Sequence, residues 1–268
     1  FPVDFAFARR PTATDPWYTS ARLMNGKFLE TDANSAQQTS SNFIFDSNNG
    51  WAKSHDSAYQ SWMWKRHAGF DVVNGLEENN SHNLGRAPEM VWVKRRSSTS
   101  DWFCWHKGLN GGGSNAVNYH LRLNTNAAES SVSSLCPIGD TLPTATHFKT
   151  GSDSDIRDAD SIAFLFASVD GISKVGSYTG SSSTVTVTTG FQPRFVIIRR
   201  VEATDEWVLL DTLRGWGSGN DAFLHPNTSG AQNSNMDLGA PTSTGFTVTT
   251  TYNTLNTNGE NFIYYAHA

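Results

Sequence analysis

Three tryptophans in this 268-residue sequence each stand eight residues after a cation: Trp17 after Arg9, Trp102 after Lys94 and Trp207 after Arg199. An indole beside a guanidinium or ammonium group suits non-covalent recognition. The ring stacks on the apolar face of a sugar, and the cation donates to hydroxyls or to a phosphate. The same pair has a structural use. A cation over an indole is worth about 0.5–1 kcal/mol at an exposed site, and charge at a strand end discourages edge-to-edge pairing. A fourth ring, Trp216, lies in the glycine-rich stretch "RGWGSGN" (214–220) and is the best candidate for an exposed stacking platform. The candidate binding set is therefore Trp17, Trp102, Trp207, Trp216, Arg9, Lys94 and Arg199, with the structural use of the pairs as the preferred reading.

Nothing points to catalysis with comparable force. The eight histidines form no HExxH or HxH pattern, and no GxSxG elbow occurs. The acidic run "GSDSDIRDAD" (151–160) opens like a calcium loop, but it lacks the glycine at the sixth loop position and has Phe164 where the bidentate glutamate belongs. It reads as a solvated turn, since sequence spacing does not test the carboxylate separation a glycosidase needs. "GLNGGGSN" (108–115) lacks the Lys-Ser/Thr of a phosphate loop. No catalytic residue, metal or cofactor is expected.

The elements that must position these residues recur. "FPVDFAFARR" (1–10), "APEMVWVKRR" (87–96) and "FQPRFVIIRR" (191–200) are each an alternating apolar strand running into a basic pair. A short polar segment then leads to the tryptophan, which is the pattern of a hairpin. Downstream, "NTNAAES" (124–130) matches "NTSGAQN" (227–233), with "TDANSAQ" (31–37) as a looser copy. Each unit closes on an apolar strand, in "SWMWKRHAG" (61–69), "SIAFLFASVDG" (161–171) and "NFIYYAHA" (261–268). Between units, residues 70–85 and 172–190 read as strand, turn and strand.

Composition agrees. Charged residues are only 17% and aromatics 12%, and Ser, Thr, Asn and Gly fill the turns, so no segment sustains a helical period. The expected fold is all-β, built as three tandem antiparallel β-sandwich modules of jelly-roll type at 1–69, 70–171 and 172–268. The first is incomplete, because it starts directly on its Pro-strand without the opening hairpin. That leaves an open sheet edge, to be filled by upstream residues or, as the second choice, by a neighbouring chain. The chain starts at Phe1 rather than Met, so a fragment or processed product is expected. A net charge of −5 lacks the basic excess of a nucleic-acid binder, and the longest apolar run, Ile162 to Ala167, is far short of a membrane-spanning helix. Two cysteines, Cys104 and Cys136, are expected to be buried and reduced.

The strings "HNLGRAPEMVWVKRR…DWFCWHKGLN", "PTATHF", "LFASVDGISKVGSYTG", "TTGFQPRFVIIRR" and "FIYYAHA" closely resemble tandem repeat modules of virion structural proteins in tailed bacteriophages, notably marine and cyanobacterial phages. The resemblance covers essentially the whole chain and is weakest in the first unit, where Val3 aligns with Pro193. It implies a non-enzymatic virion component of tail-fibre type, extracellular after release, often concerned with host attachment and commonly trimeric. Its partners would be other virion proteins and a host surface glycan or protein, with no nucleic acid and no membrane insertion. A purely structural spacer, adaptor or capsid-decoration protein is the alternative, and a glycan-degrading tailspike enzyme a lesser one.

Overall fold

The computed structural model describes residues 1–24, 26–46, 48, 50, 51 and 57–268. The three Pro-strand signatures fold as the expected hairpins. Strand β1 (Phe5–Arg9) pairs with β2 (Tyr18–Ala21), β8 (Met90–Arg95) with β9 (Trp102–His106), and β16 (Phe195–Arg200) with β17 (Val208–Asp211), all antiparallel. In the second hairpin Lys94 lies directly opposite Trp102. The registers Ala8 to Tyr18 and Ile198 to Val208 place Arg9 and Arg199 at the matching position beside Trp17 and Trp207. A spacing of eight therefore means one cross-strand pair at the mouth of each hairpin.

Each hairpin sits inside a larger antiparallel sheet. Sheet one adds β3 (Lys27–Glu30), β4 (Gln38–Thr39) and β5 (Gln60–Trp64), in the order β4-β3-β2-β1-β5. Sheet two adds β6 (Phe70–Asn74), β10 (Tyr119–Arg122), β11 (Ser130–Ser131) and β13 (Ser161–Phe166), in the order β11-β10-β9-β8-β13-β6. Sheet three adds β14 (Ser173–Thr179), β18 (Asp221–Leu224), β19 (Asn233–Met236) and β22 (Asn261–His267), in the order β14-β22-β16-β17-β18-β19. Two small sheets complete the set among the described residues: β7 (Asn79–Ser81) with β12 (His147–Lys149), and β15 (Val185–Thr188) with β21 (Gly245–Val248) and β20 (Pro241–Thr242). The single α-helix among the described residues, α1 (Asn253–Asn256), is one turn long.

The segments 70–85 and 172–190 do fold as strand, turn and strand, but the two strands of each part company. β6 and β14 join the edges of sheets two and three, whereas β7 and β15 join the small sheets. The turn at Lys65–Gly69 likewise sends β5 and β6 into different sheets.

Period-two alternation decides what each face buries. Phe195, Ile197 and Tyr265 point to one core, and Val196, Ile198 and Tyr264 to another, under the small sheet carrying Phe246 and Val248. The first of these cores is shared by all three large sheets. The Phe5 ring of sheet one lies 4.6 Å from that of Phe164 of sheet two, Phe166 lies 5.0 Å from Tyr265 of sheet three, and Phe195 closes the circuit at 5.6 Å from Trp64. The indole Nε1 of Trp64 also donates to the Tyr265 hydroxyl at 3.2 Å. Cys104 and Cys136 are both buried and unpaired.

A core common to three sheets couples their stabilities. Denaturant unfolding should show one transition, and Phe164→Ala should lower the stability of the whole chain by about 3–5 kcal/mol. Separate transitions for the three segments, resolved by hydrogen exchange, would show that the sheets stand alone.

Candidate functional site

All seven candidate recognition residues are buried. Trp17, Trp102, Arg9, Lys94 and Arg199 are 0% exposed, Trp207 1% and Trp216 3%. They form no surface rim, because the pleat turns the first cation of each pair inward with the tryptophan beside it. The second cation turns outward and pairs with an acid on its own hairpin or close by: Arg10 with Asp15 at 3.1 Å, Arg95 with Asp158 at 3.2 Å, and Arg200 with Asp205 at 3.3 Å. Trp216 anchors its loop in the outer core of sheet three, 5.9 Å from Phe246, and does not form a stacking platform.

The inward cations are held by carbonyls. Each takes the carbonyl four residues on in its own hairpin: Arg9 that of Ala13 at 3.0 Å, Lys94 that of Ser98 at 3.4 Å and Arg199 that of Ala203 at 3.3 Å. The arginines reach further, into a loop of a different sheet. Arg9 donates to Thr228, Ser229 and Gly230 of sheet three at 3.2, 2.9 and 2.7 Å, with its guanidinium 5.0 Å from the Trp17 ring. Arg199 donates to Asn126 and Ala127 of sheet two, both at 2.7 Å. Lys94, with one compact head rather than a fork of donors, is satisfied inside its own hairpin by Arg95 at 2.6 Å.

The tryptophans make the same crossing. Nε1 of Trp17 donates to the His225 carbonyl of sheet three at 2.9 Å, that of Trp102 to Glu30 of sheet one at 2.8 Å, and that of Trp207 to Arg122 of sheet two at 3.0 Å. Two backbone bonds flank each crossing. The amides of Asp15, Ser100 and Asp205 donate to Ser229, Asn34 and Asn126, while those of Gln232, Gln37 and Glu129 donate back to Pro11, Arg96 and Val201, all between 2.7 and 3.0 Å. Sheet one's loop thus latches sheet two's hairpin, sheet two's loop latches sheet three's, and sheet three's loop returns to sheet one. The cycle is closed.

These loops are the repeated strings around Asp32, Asn124 and Asn227. Each of those side chains accepts from the backbone amide of the tryptophan in its own sheet, at 2.9, 2.9 and 3.1 Å. Their recurrence was visible in the sequence, but not that they serve a neighbour. Two further junctions carried no sequence signal. Asp211 accepts from Trp62 of sheet one at 3.2 Å and from Arg214 at 2.6 Å. His106 sits 3.2 Å from the Tyr264 carbonyl, its Nδ1 accepts from Gly108, and burial pushes its pKa down to about 3. A neutral imidazole with Nδ1 as acceptor donates from Nε2 to that carbonyl.

The acidic run binds its neighbours. Asp155 and Asp158 face Arg95, Asp160 faces Arg96, and the Asp153 carboxylate accepts from the Asp155 amide. No group of three or more metal-ligating side chains occurs among the described residues.

Desolvation gives the buried Lys94 a pH signature. Burial lowers the Lys94 pKa to about 8 from an ordinary 10.5. Below pH 8 the ammonium is charged in folded and unfolded chains alike, and its burial cost is constant. From pH 8 to about 10.5 the unfolded chain holds more protons, so this residue's contribution to stability rises with pH. Urea unfolding at pH 7 and pH 10 should show that rise in the wild type relative to Lys94→Met, and equal pH responses would refute it. Arg199→Ala strips donors from buried carbonyls and should cost about 3–5 kcal/mol.

No curated protein and no solved structure matches the chain. A family model described as "Domain of unknown function (DUF7483)" matches residues 23–268. That match takes in β3, β4 and β5 of sheet one and all of sheets two and three, with the β1–β2 hairpin that carries Arg9 and Trp17 lying before it, and the chain belongs to the DUF7483 family.

Proposed function

We propose that the chain is a non-enzymatic building block of a tailed-phage virion. It comprises three tandem antiparallel β-sandwich modules, 1–69, 70–171 and 172–268, of which the first is incomplete. In this reading it is a rigid spacer or adaptor within a tail-fibre-like appendage, extracellular once the particle is released, and its partners are other virion proteins. The observation that carries the emphasis on scaffolding is the burial of the aromatic and cationic residues. Rings sealed in cores and between sheets stabilise a block, whereas rings in an open groove serve a receptor.

Host attachment through polar loops is the second reading, supported by the abundance of Ser, Thr and Asn in the sequence. The trimer implied by the family resemblance would form around this block rather than within it, since one chain already closes three sheets on a common core. Gold labelling of the module on intact particles, viewed by electron microscopy, should place it along a shaft or at a junction. The isolated chain should leave host polysaccharide uncut and unbound. A label at the distal tip with saturable glycan binding would move the proposal to attachment, and cleavage of the polysaccharide would overturn its non-enzymatic part.

A further inference from the structure

Sheets two and three are each finished at one edge by a strand that has no counterpart in sheet one among the described residues. β6 pairs with β13 and β14 with β22, whereas β5, which holds the corresponding place in sheet one, pairs only with β1 among the described residues. The correspondence is set by the buried cations: Gln60 pairs with Arg9, Ile162 with Lys94 and Ile263 with Arg199. Trp62 therefore stands where Phe164 and Tyr265 stand. Opposite those two residues the finishing strands present Val72 and Val175, 4% and 0% exposed. Opposite Trp62 there is a groove of about 440 Å³, bounded by Ser61 and Trp62 on one side and by Phe195 and Asp211–Leu213 of sheet three on the other.

The neighbouring sheet shows that this groove has the place of a strand. Asp211 pairs with Phe195 as His106 pairs with Met90, so Leu213 corresponds to Gly108. Gly108 lies against the finishing strand of sheet three: a Cβ built on it would be 3.1 Å from Cβ of Ser177 in β14. Leu213 has no such cover and is 84% exposed, far more than any other large apolar side chain described.

We propose that the edge of β5 and the groove beside it form an acceptor site for an extended strand of a separate polypeptide. The strand runs antiparallel to β5 and places a small aliphatic side chain opposite Trp62. Both finishing strands within residues 1–268 are already paired, so the incoming strand is not one of them. Open backbone donors and acceptors along β5 supply affinity, and the apolar floor of Trp62, Phe195 and Leu213 selects the side chain. The site stands whether or not the virion reading does.

The probe is a peptide with the sequence of residues 171–180, GISKVGSYTG, whose Val175 would face Trp62. Calorimetry should give saturable one-to-one binding, and hydrogen exchange should slow at residues 60–64. Leu213→Asp, a change at an exposed side chain that leaves the fold intact, should weaken binding by about tenfold or more. A peptide carrying Val175→Asp should not bind. Unchanged exchange at 60–64 with millimolar peptide would overturn the proposal. So would a dimer formed without peptide and abolished by Leu213→Asp, because the occupant would then be a second copy of this chain.

Discussion

A guanidinium shut away from water must be surrounded by acceptors, and no hairpin in this protein can surround its own. Taking such an ion out of water costs several kcal/mol unless hydrogen bonds replace the lost hydration. The hairpin of Arg9 offers the carbonyls of Arg10 and Ala13, and sheet three supplies three more. Arg199 takes two carbonyls from sheet two, both on Nη2, while its Nε and Nη1 are buried without a hydrogen-bond partner. The tryptophan beside each cation excludes water and spends its own N–H on the same neighbouring loop. Folding of one sheet to its final state therefore requires its neighbour, and the dependence runs round a cycle back to the first.

This dependence explains the doubled basic residues. In a pleated strand, adjacent side chains leave on opposite faces, so two neighbouring cations have different roles. The first is an internal strut whose charge is matched by carbonyl dipoles. The second remains near solvent opposite Asp15, Asp158 or Asp205, where an ion pair contributes little to stability but keeps the strand end charged and unattractive to other edges. Lys94 departs from the arginines because a single ammonium is satisfied within its own turn. Its crossing is made by Trp102 and by Arg96, which donates to Gln37 at 3.1 Å.

The shared core distributes load in a way suited to a structural part. Phe5, Phe164, Trp64, Phe195, Phe166 and Tyr265 come from all three sheets and touch across their boundaries, so displacing one sheet opens contacts of the other two. His106 and Asp211 tie the same boundaries with polar bonds from buried side chains. Among the described residues only sheet one lacks a finishing strand beside β5, and that edge lies beside the boundary with sheet three.

Much of this was legible in the residues themselves. The spacing of Arg9 to Trp17, repeated at Lys94 and Arg199, determines a hairpin with the two side chains opposed, because the strand period and a short turn leave one register. Alternation determines two faces, but not what lies against them. Whether Trp216 and Trp207 would be exposed or buried was not legible for this reason, since solvent exposure depends on sheets brought together from far along the chain; both rings are buried. The strings around Asn124 and Asn227 were recognisable as repeats, and only tertiary closure turned their carbonyls toward the next hairpin. Sequence by itself determined the local pairings, which rest on dihedral angles and spacing; the tertiary structure decided which surfaces became interior, because burial is a property of the whole packed chain.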